Sequence, residues 1–549
     1  MDALSILGFT EANRTLQIDT PLGKDALLTV RFWCRQIVNG MDKAKVTVRA
    51  KRDDVKPQDL VGKEITVWLV TDHNGTIRCQ EHGIKLDASR VFDLPPAQNY
   101  TVQWKETDHD FLVRLFQKYG IFYWTRQDNG KQVLVLGNKP IAWDNGADGN
   151  KGRARIASGS SADNHISEWQ IDYQFVPGKH AGRDWNFEDP NRAQQSDVIS
   201  TVKLPRNISY ELYQYPALAM NRRDAEKQIT SHAQTLEAAH QTIVGESDIR
   251  ELAAGAKVTP FDLANPSHVY ETAVIMSIEH TAVNQSYEAT EGDIEPDYCN
   301  KFTALPASLP ATPQRTMPRP RIDGTLPAII AGPEGEEIHC DKHGRVKGYF
   351  LWDRQATKNG NDTDWIRVLQ PWAGGGWGVQ VIPRIGMEVI VIFEDGDPDR
   401  PLIIGLLPNP NMKVPENLPA NKTKMVMKSQ THKGPGFNEM TFEDENGRQE
   451  IYMHVERDMN THVRNNQSNL IEGHQSTQVN GVQISSILLG SMTNVGGSYS
   501  IHVGPYGTLL LSALNIFGNK NNIFKQALYD AALLKTIDTE SHSYNVTAE

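Results

Sequence analysis

Every eighth residue from Val455 to Leu511 is aliphatic: Val455, Val463, Ile471, Val479, Ile487, Val495, Val503 and Leu511. In a chain that is 39% apolar, one register of such a window would fill by chance about once in two hundred sequences. Gly473, Gly481 and Gly497 each stand two places after a repeat residue, where a tight bend or a close backbone approach wants no side chain. A period of eight fits neither the α-helical repeat nor the heptad of a coiled coil. It fits a short strand and a turn, stacked repeatedly as in a β-solenoid. One chain supplies only a thin apolar line per turn, too little to bury a core alone. Several copies winding together, each line facing a common axis, would supply that core. The first expectation is therefore a needle made by self-association.

The rest of the chain must be something else, since 549 residues are enough for about three or four domains. The net charge of −11 argues against a nucleic-acid groove or an anionic membrane surface, all the more if copies associate. Residues Met1 to Thr10 carry no basic leader, and no stretch reaches the length of an apolar membrane span, so cytoplasmic synthesis without a signal peptide is expected. Cys34, Cys79, Cys299 and Cys340 are scattered and predict reduced thiols.

Strand signals dominate the first 300 residues. Leu27 to Phe32, Lys45 to Val48, Ile65 to Val70 and Val133 to Leu136 are short apolar or alternating runs bounded by turn residues. A helix capped by Thr107 or Asp108 is predicted, with Phe111, Leu112, Leu115 and Phe116 as its core stripe and Gly120 as its stop. A second group of strands, Ile166 to Tyr173, Lys257 to Thr259 and Val269 to His280, surrounds a predicted helix from Asn221 to His240. Two related barrels, 1–150 and 151–305, each with one helix, are the expected arrangement. Pro306, Pro310, Pro313, Pro318 and Pro320 then predict a stiff connector over 306–324. Residues 325–410 read as a small all-β unit with core strands Glu388 to Phe393 and Leu402 to Leu407. A polar linker leads through 411–454 into the repeat. Beyond Leu511, within 512–549, Ile523 to Ile537 has the pattern of a short amphipathic helix.

No catalytic constellation is expected. Gly374-Gly375-Gly376 lacks the Lys-Ser/Thr of a phosphate loop and reads as a turn. Asp395, Asp397 and Asp399 alternate like the start of a calcium loop, but Arg400 stands where glycine is needed and Leu406 where a bidentate glutamate is needed. His339, Cys340 and His343 are close in sequence, yet neighbouring strand residues point to opposite faces. His462, His474 and His502 fall at mixed offsets within the repeat and form no ladder. No catalytic residue, cofactor or metal is expected.

The 325–410 unit carries a specific pattern. Ala331 to Ile338, Gly344-Arg345-Val346-Lys347, Trp352-Asp353-Arg354 and Trp372-Ala373-Gly374 with Trp377-Gly378 are followed by Ile382-Pro383-Arg384-Ile385-Gly386. Glu394-Asp395-Gly396-Asp397-Pro398-Asp399-Arg400-Pro401 completes it. In order and spacing these segments resemble the VgrG (valine-glycine repeat) spike proteins of type VI secretion systems. Pro21-Leu22-Gly23, the run from Glu106 to Tyr123, and Tyr213-Gln214-Tyr215-Pro216 extend the likeness over most of the chain. The resemblance implies a mainly β chain: two hub-like β-barrel domains, an OB-fold, and an intertwined triple-stranded β-helix over 455–511 formed by a homotrimer. It implies seating on the hexameric Hcp tube, contact with baseplate components, and a PAAR-repeat tip protein or effector at the C-terminal end, with the target envelope met only mechanically. Export would be by type VI secretion.

The interval from Leu60-Val61-Gly62-Lys63 to Glu106 is shorter than the family pattern. That implies either a reduced first barrel or residues omitted near Asp72 to Gln80. Phage relatives insert a lysozyme before the needle. Here about 45 residues precede Val455 after Pro410, and about 38 follow Leu511, too few for a catalytic domain. The expected function is a non-enzymatic puncturing spike. Alternatives are the spike of a contractile phage tail or pyocin-like particle, and a cell-wall hydrolase using Asp395, Asp397 and Asp399. The segment Ile523 to Ile537 is either an effector adaptor or a helix folded back on the needle.

Overall fold

The computed structural model describes residues 14, 16–50, 54–63, 65–70, 76–80, 85–93, 97–128, 131–146, 152–158, 164–191, 194–217, 219, 222–284, 296–497, 499–502 and 543–546. Chain contacts divide it into two units, Met1–Glu456 and Arg457–Glu549. Val503, Leu511 and the predicted helix Ile523 to Ile537 lie outside the described residues.

At the centre of the first unit is a closed barrel. Its strands run in the order Lys257–Asp262, Arg153–Ile156, Ile166–Tyr173, Gln241–Ser247, Tyr298–Pro306 and Ala273–Val283, which returns to Lys257–Asp262. Closure removes the free edges that an open sheet would expose. Alternation along the strands sends Ile166, Ile243, Val258, Ile275, Ile278 and Phe302 inward, all at most 2% exposed. The strand Ala273–Val283 serves two neighbours along one edge. Its first residues pair with Lys257 and Val258, while Ser277 to Val283 pair with Leu27–Ile37, which in turn pairs with Lys43–Ala50. Strands from before and after residue 150 thus share one sheet.

An aromatic stack caps this core, with Phe122 4.2 Å and Trp124 5.2 Å from Trp143 by ring centroids. The Trp124 indole donates to Asp144 at 2.8 Å, and Arg90 and Arg126 donate to the same carboxylate. Gly255 passes so close that a Cβ there would lie 2.4 Å from the Trp124 ring, at a φ of +79°. Only glycine fits that backbone. Two smaller sheets complete the region. One joins Leu16–Asp19, Thr66–Val70 and Thr76–Gln80; the other joins Lys85–Arg90, Lys131–Gly137 and Phe122–Asp128.

Helix α1 spans Asp108–Tyr119, with the Thr107 side chain accepting from the Asp110 N–H and Gly120 left-handed at its end, as the local pattern dictates. Its buried face differs from the expected stripe. Leu112 is 50% exposed, while Val113 and Gln117 are buried. Gln117 is held there because its amide bonds the Thr316 hydroxyl and the Met317 N–H of the proline-rich segment. That segment is a packed strap, with Ala311 and Thr312 buried and the Pro313 carbonyl accepting from Thr235. Helix α2, Arg222–Ala238, packs on the sheet Gln194–Ile199, Lys179–Asp184, Glu211–Gln214; Gly182 leaves the space that Ile229 fills.

Residues 326–407 form a five-stranded sheet in the order Lys347–Phe350, Leu326–Ala331, Glu388–Phe393, Pro401–Leu407, Arg367–Val368. A bridge between Val346 and Ile366 joins its two ends, and Ala328, Ile330, Val346, Ile366, Val389, Val391 and Ile403 fill the interior. A short antiparallel sheet of Lys424–Lys428, Glu439–Glu443 and Glu450–His454 ends the first unit.

Candidate functional site: a latched junction and an unpaired strand line

The turn from Glu394 to Pro401 links the two central strands of the five-stranded sheet. Asp395 and Gly396 take positive φ values of 51° and 70°, which the tight reversal requires. That reversal aims the following side chains out of their own sheet and toward the barrel region. Arg400 forks onto Asp184, with Nη1 3.2 Å from Oδ1 and Nη2 2.9 Å from Oδ2. Asp184 is 2% exposed and also accepts from the Trp185 and Ala219 N–H groups, so its charge is fully met. Asp399 accepts from the Val102 N–H at 2.7 Å, and Asp397 holds Arg319 at 3.1 Å. Burial, with Asp397 alongside, holds the Asp399 carboxyl above its ordinary range. Burial also lowers the Lys118 ammonium, which shares with these two carboxylates a cavity of about 90 Å³. The three aspartates are thus committed to structure: Asp395, half exposed, faces Arg321 at 3.5 Å.

Other residues of the pattern clasp the same junction. Arg345 bonds Asp341 and reaches Glu188 at 3.1 Å while lying over Phe187. Arg367 lies over both Trp185 and Phe187. Trp352 meets Trp104 edge-on at 5.4 Å. Gly344, Gly378 and Gly386 have positive φ, and a Cβ on Gly378 would strike the Trp372 carbonyl. Pro383 is buried, and Arg384 pairs with Glu337 and the Gln430 carbonyl. Asp353 caps the turn at Gln355, whereas Arg354 is exposed. Trp372 and Trp377 meet edge-on in a hairpin whose residues 371–381 are all exposed. His339, Cys340 and His343 diverge: His339 stacks on Trp365, Cys340 bridges to Val346, and His343 meets Phe187. The barrel-side partners Val102, Asp184, Trp185, Phe187 and Glu188 form no motif in the sequence, and only the structure reveals them.

The second unit is different in kind. Over 457–497 every residue is exposed and, among the described residues, none joins a main-chain hydrogen bond. Val463, Ile471, Val479 and Val495 are 46–47% exposed and Ile487 56%. Val455, the first of the line, is half-buried in the first unit. Among the described residues nothing beyond the chain neighbours comes within 4 Å of the Cβ positions of Gly473, Gly481 or Gly497. An isolated extended chain with unpaired amides and uncovered aliphatic groups is unstable in water.

Three family models match successive parts of the chain. The model described as phage tail baseplate hub matches residues 77–286. The type VI secretion system/phage-baseplate injector OB domain matches 337–407, and the bacteriophage T4 gp5 C-terminal trimerisation domain matches 425–515. The molecule is thus of the contractile-tail hub-and-spike class. Pseudomonas aeruginosa PAO1 type VI secretion spike protein VgrG1a is 29% identical over 85% of this chain and 80% of its own length. VgrG1b of the same strain is 32% identical over 69% of this chain, which spans about half (51%) of that relative. A chain of a Francisella PdpA-VgrG complex superposes with a TM-score of 0.50 at 8% identity, over 81% of this chain and 88% of its own, and supports the fold alone. The chain belongs to the VgrG family of type VI secretion spike proteins.

Proposed function

We propose that three copies of this chain assemble into a non-enzymatic spike that seats on the Hcp tube and is driven through a target envelope. The observation that carries this reading is the 457–497 segment, whose amides and repeat side chains have no partner within the described chain and which matches a trimerisation domain. Three such segments intertwined would pair every strand with a neighbouring copy, leaving no free edge along the shaft. Val455, Val463, Ile471, Val479, Ile487, Val495, Val503 and Leu511 would line its axis. Gly473, Gly481 and Gly497 would let neighbouring chains approach.

The barrel region, 1–305, would be the hub, 325–410 the OB-fold injector, and 455–511 the shaft. Asp397 and Asp399, held in the junction, support a mechanical role rather than hydrolysis. The solved Francisella VgrG is in complex with PdpA. By analogy, we place a PAAR-repeat tip protein or effector at the C-terminal end, baseplate components at the hub, and export by the secretion apparatus itself. Among the described residues no helix is long and apolar enough to cross a membrane. Native mass spectrometry of the purified full chain tests the assembly: a trimer is expected, and a monomer in dilute solution would overturn it.

A further inference from the structure

We infer that the cavity at the latched junction is a binding site for one free tetrahedral oxyanion, sulfate or inorganic phosphate, held chiefly by Arg315 and Lys118. The site lies within a single chain and does not depend on the trimer.

Three elements meet at this cavity of about 90 Å³. Helix α1 brings Arg114 and Lys118, the proline-rich strap brings Arg315 and Arg319, and the turn from Glu394 to Pro401 brings Asp397 and Asp399. Four cations therefore face two carboxylates. Two of the cations are matched: the Arg114 Nε lies 2.9 and 2.8 Å from the Glu106 carboxylate oxygens, and Arg319 reaches Asp397 at 3.1 Å. Arg315 is different. It donates only to neutral groups, the Gln228 Oε1 at 3.1 Å, the Gln228 carbonyl at 3.4 Å and the Gln214 Oε1 at 3.4 Å. Among the described residues no carboxylate pairs with it, and burial holds its guanidinium below the ordinary arginine range. Its unmet charge is felt by a neighbour, since Arg315 adds to the burial that lowers His232.

Lys118 is also short of a partner. Its ammonium lies 5.3 Å from the Tyr119 ring, and Asp399, Asp397 and Asp224 act on it only at longer range. Asp399 already accepts from the Val102 N–H. With Arg114 and Arg319 matched, Arg315 and Lys118 are left facing Asp399 alone, so the lining holds one positive charge in excess. A guanidinium taken out of water needs a counter-charge, and its planar fork suits two oxygens of one anion. Arg400, on the facing turn, has this in Asp184; Arg315 lacks it. Roughly 10–15 Å³ of such space holds a water, so the cavity has room for a four-oxygen anion, and it is far smaller than a nucleotide needs. Bound there, the anion ties α1, the strap and the turn together.

Equilibrium dialysis of the full chain against radiolabelled sulfate, at an ionic strength fixed with chloride, tests this. One sulfate per chain should bind saturably with a Kd of about 1 mM or below. Unlabelled phosphate should displace it, and AMP should not. Arg315→Gln and Lys118→Met should each weaken uptake at least about ten-fold, whereas Arg354→Gln, an exposed position outside the lining, should leave it unchanged. In the wild type, sulfate should slow amide exchange over 311–320 relative to chloride, with the 371–381 hairpin unaffected; this reading needs no variant to fold. Absence of saturable uptake below about 10 mM overturns the site, whether Arg315 is bare or covered by a protein carboxylate. Uptake that Arg315→Gln leaves within about two-fold, with strap exchange unchanged, places the anion elsewhere and overturns it too. Displacement by AMP as strong as by phosphate overturns the assignment to a free anion.

Discussion

The hub–OB junction and the 457–497 segment meet the same demand in opposite ways. Both must cover apolar surface and satisfy polar groups. The junction does so within one chain: Arg400 finds Asp184, Asp399 finds the Val102 amide, and Arg345 and Arg367 cover Trp185 and Phe187. Among the described residues the segment finds no partner, and its amides and aliphatic line stay open. The junction is closed by directional, charge-assisted bonds. In the proposed trimer the shaft would be closed by repetition across copies, so its stability would belong to the assembly and depend on chain concentration.

The comparison breaks most visibly at the axis. Val479→Asp would put three carboxylates on one line, each costing on the order of 3 kcal/mol or more when buried without a partner. The native mass should fall to a monomer while the first unit keeps its circular dichroism and its own melting transition. At the junction, Arg400→Ala leaves Asp184 buried without its cation and should cost about 3 kcal/mol in urea unfolding of the first unit. Arg400→Lys should recover only part, because an ammonium cannot bond both carboxylate oxygens in parallel. Neither change should alter the mass of the trimer.

A smaller effect follows from His280, buried against the Tyr298 hydroxyl at 2.6 Å, where burial lowers its pKa to about 4. The unfolded chain therefore takes up the proton first as the pH falls. Stability is full above about pH 6.5 and declines between about 6.5 and 4, by roughly 2–3 kcal/mol. Burial, helped by Arg315, lowers His232 to about 4 as well, so it adds to the same decline. His280→Gln should flatten the difference between urea midpoints at pH 7.5 and 4.5 in part. Smallest, Thr107→Ala removes the cap of α1 and should cost about 1 kcal/mol in the same unfolding experiment.

What could be read from the sequence was what is local or periodic. Thr107 and Gly120 fix the ends of α1 through their own backbone neighbours, and the eight-residue line needs only counting. What could not be read depends on pairing across long separations. Barrel closure sets Lys257–Asp262 beside Arg153–Ile156, about a hundred residues away, and no local signal states that pairing. The segment from Glu394 to Pro401 stands out as a family pattern, yet its meaning lies in Asp184 and Val102, whose own surroundings carry no motif. The proline-rich segment reads as a stiff connector because composition shows missing donors but not what its carbonyls accept. Leu112 was assigned to the core because an apolar stripe cannot tell which face a neighbouring strap will cover. Met425, Met427, Ile451 and Met453 alternate with polar residues, but short strands inside a charged, proline-marked stretch are easily read as linker.

Amide hydrogen exchange over 457–497 in the full-length protein at micromolar concentration tests the central claim most directly. The account predicts protection across the whole segment, at least as strong as in the barrel strands, and its loss on dilution to monomer or in Val479→Asp. Exchange at unstructured rates over 457–497, in a sample whose barrel amides are protected, would contradict it.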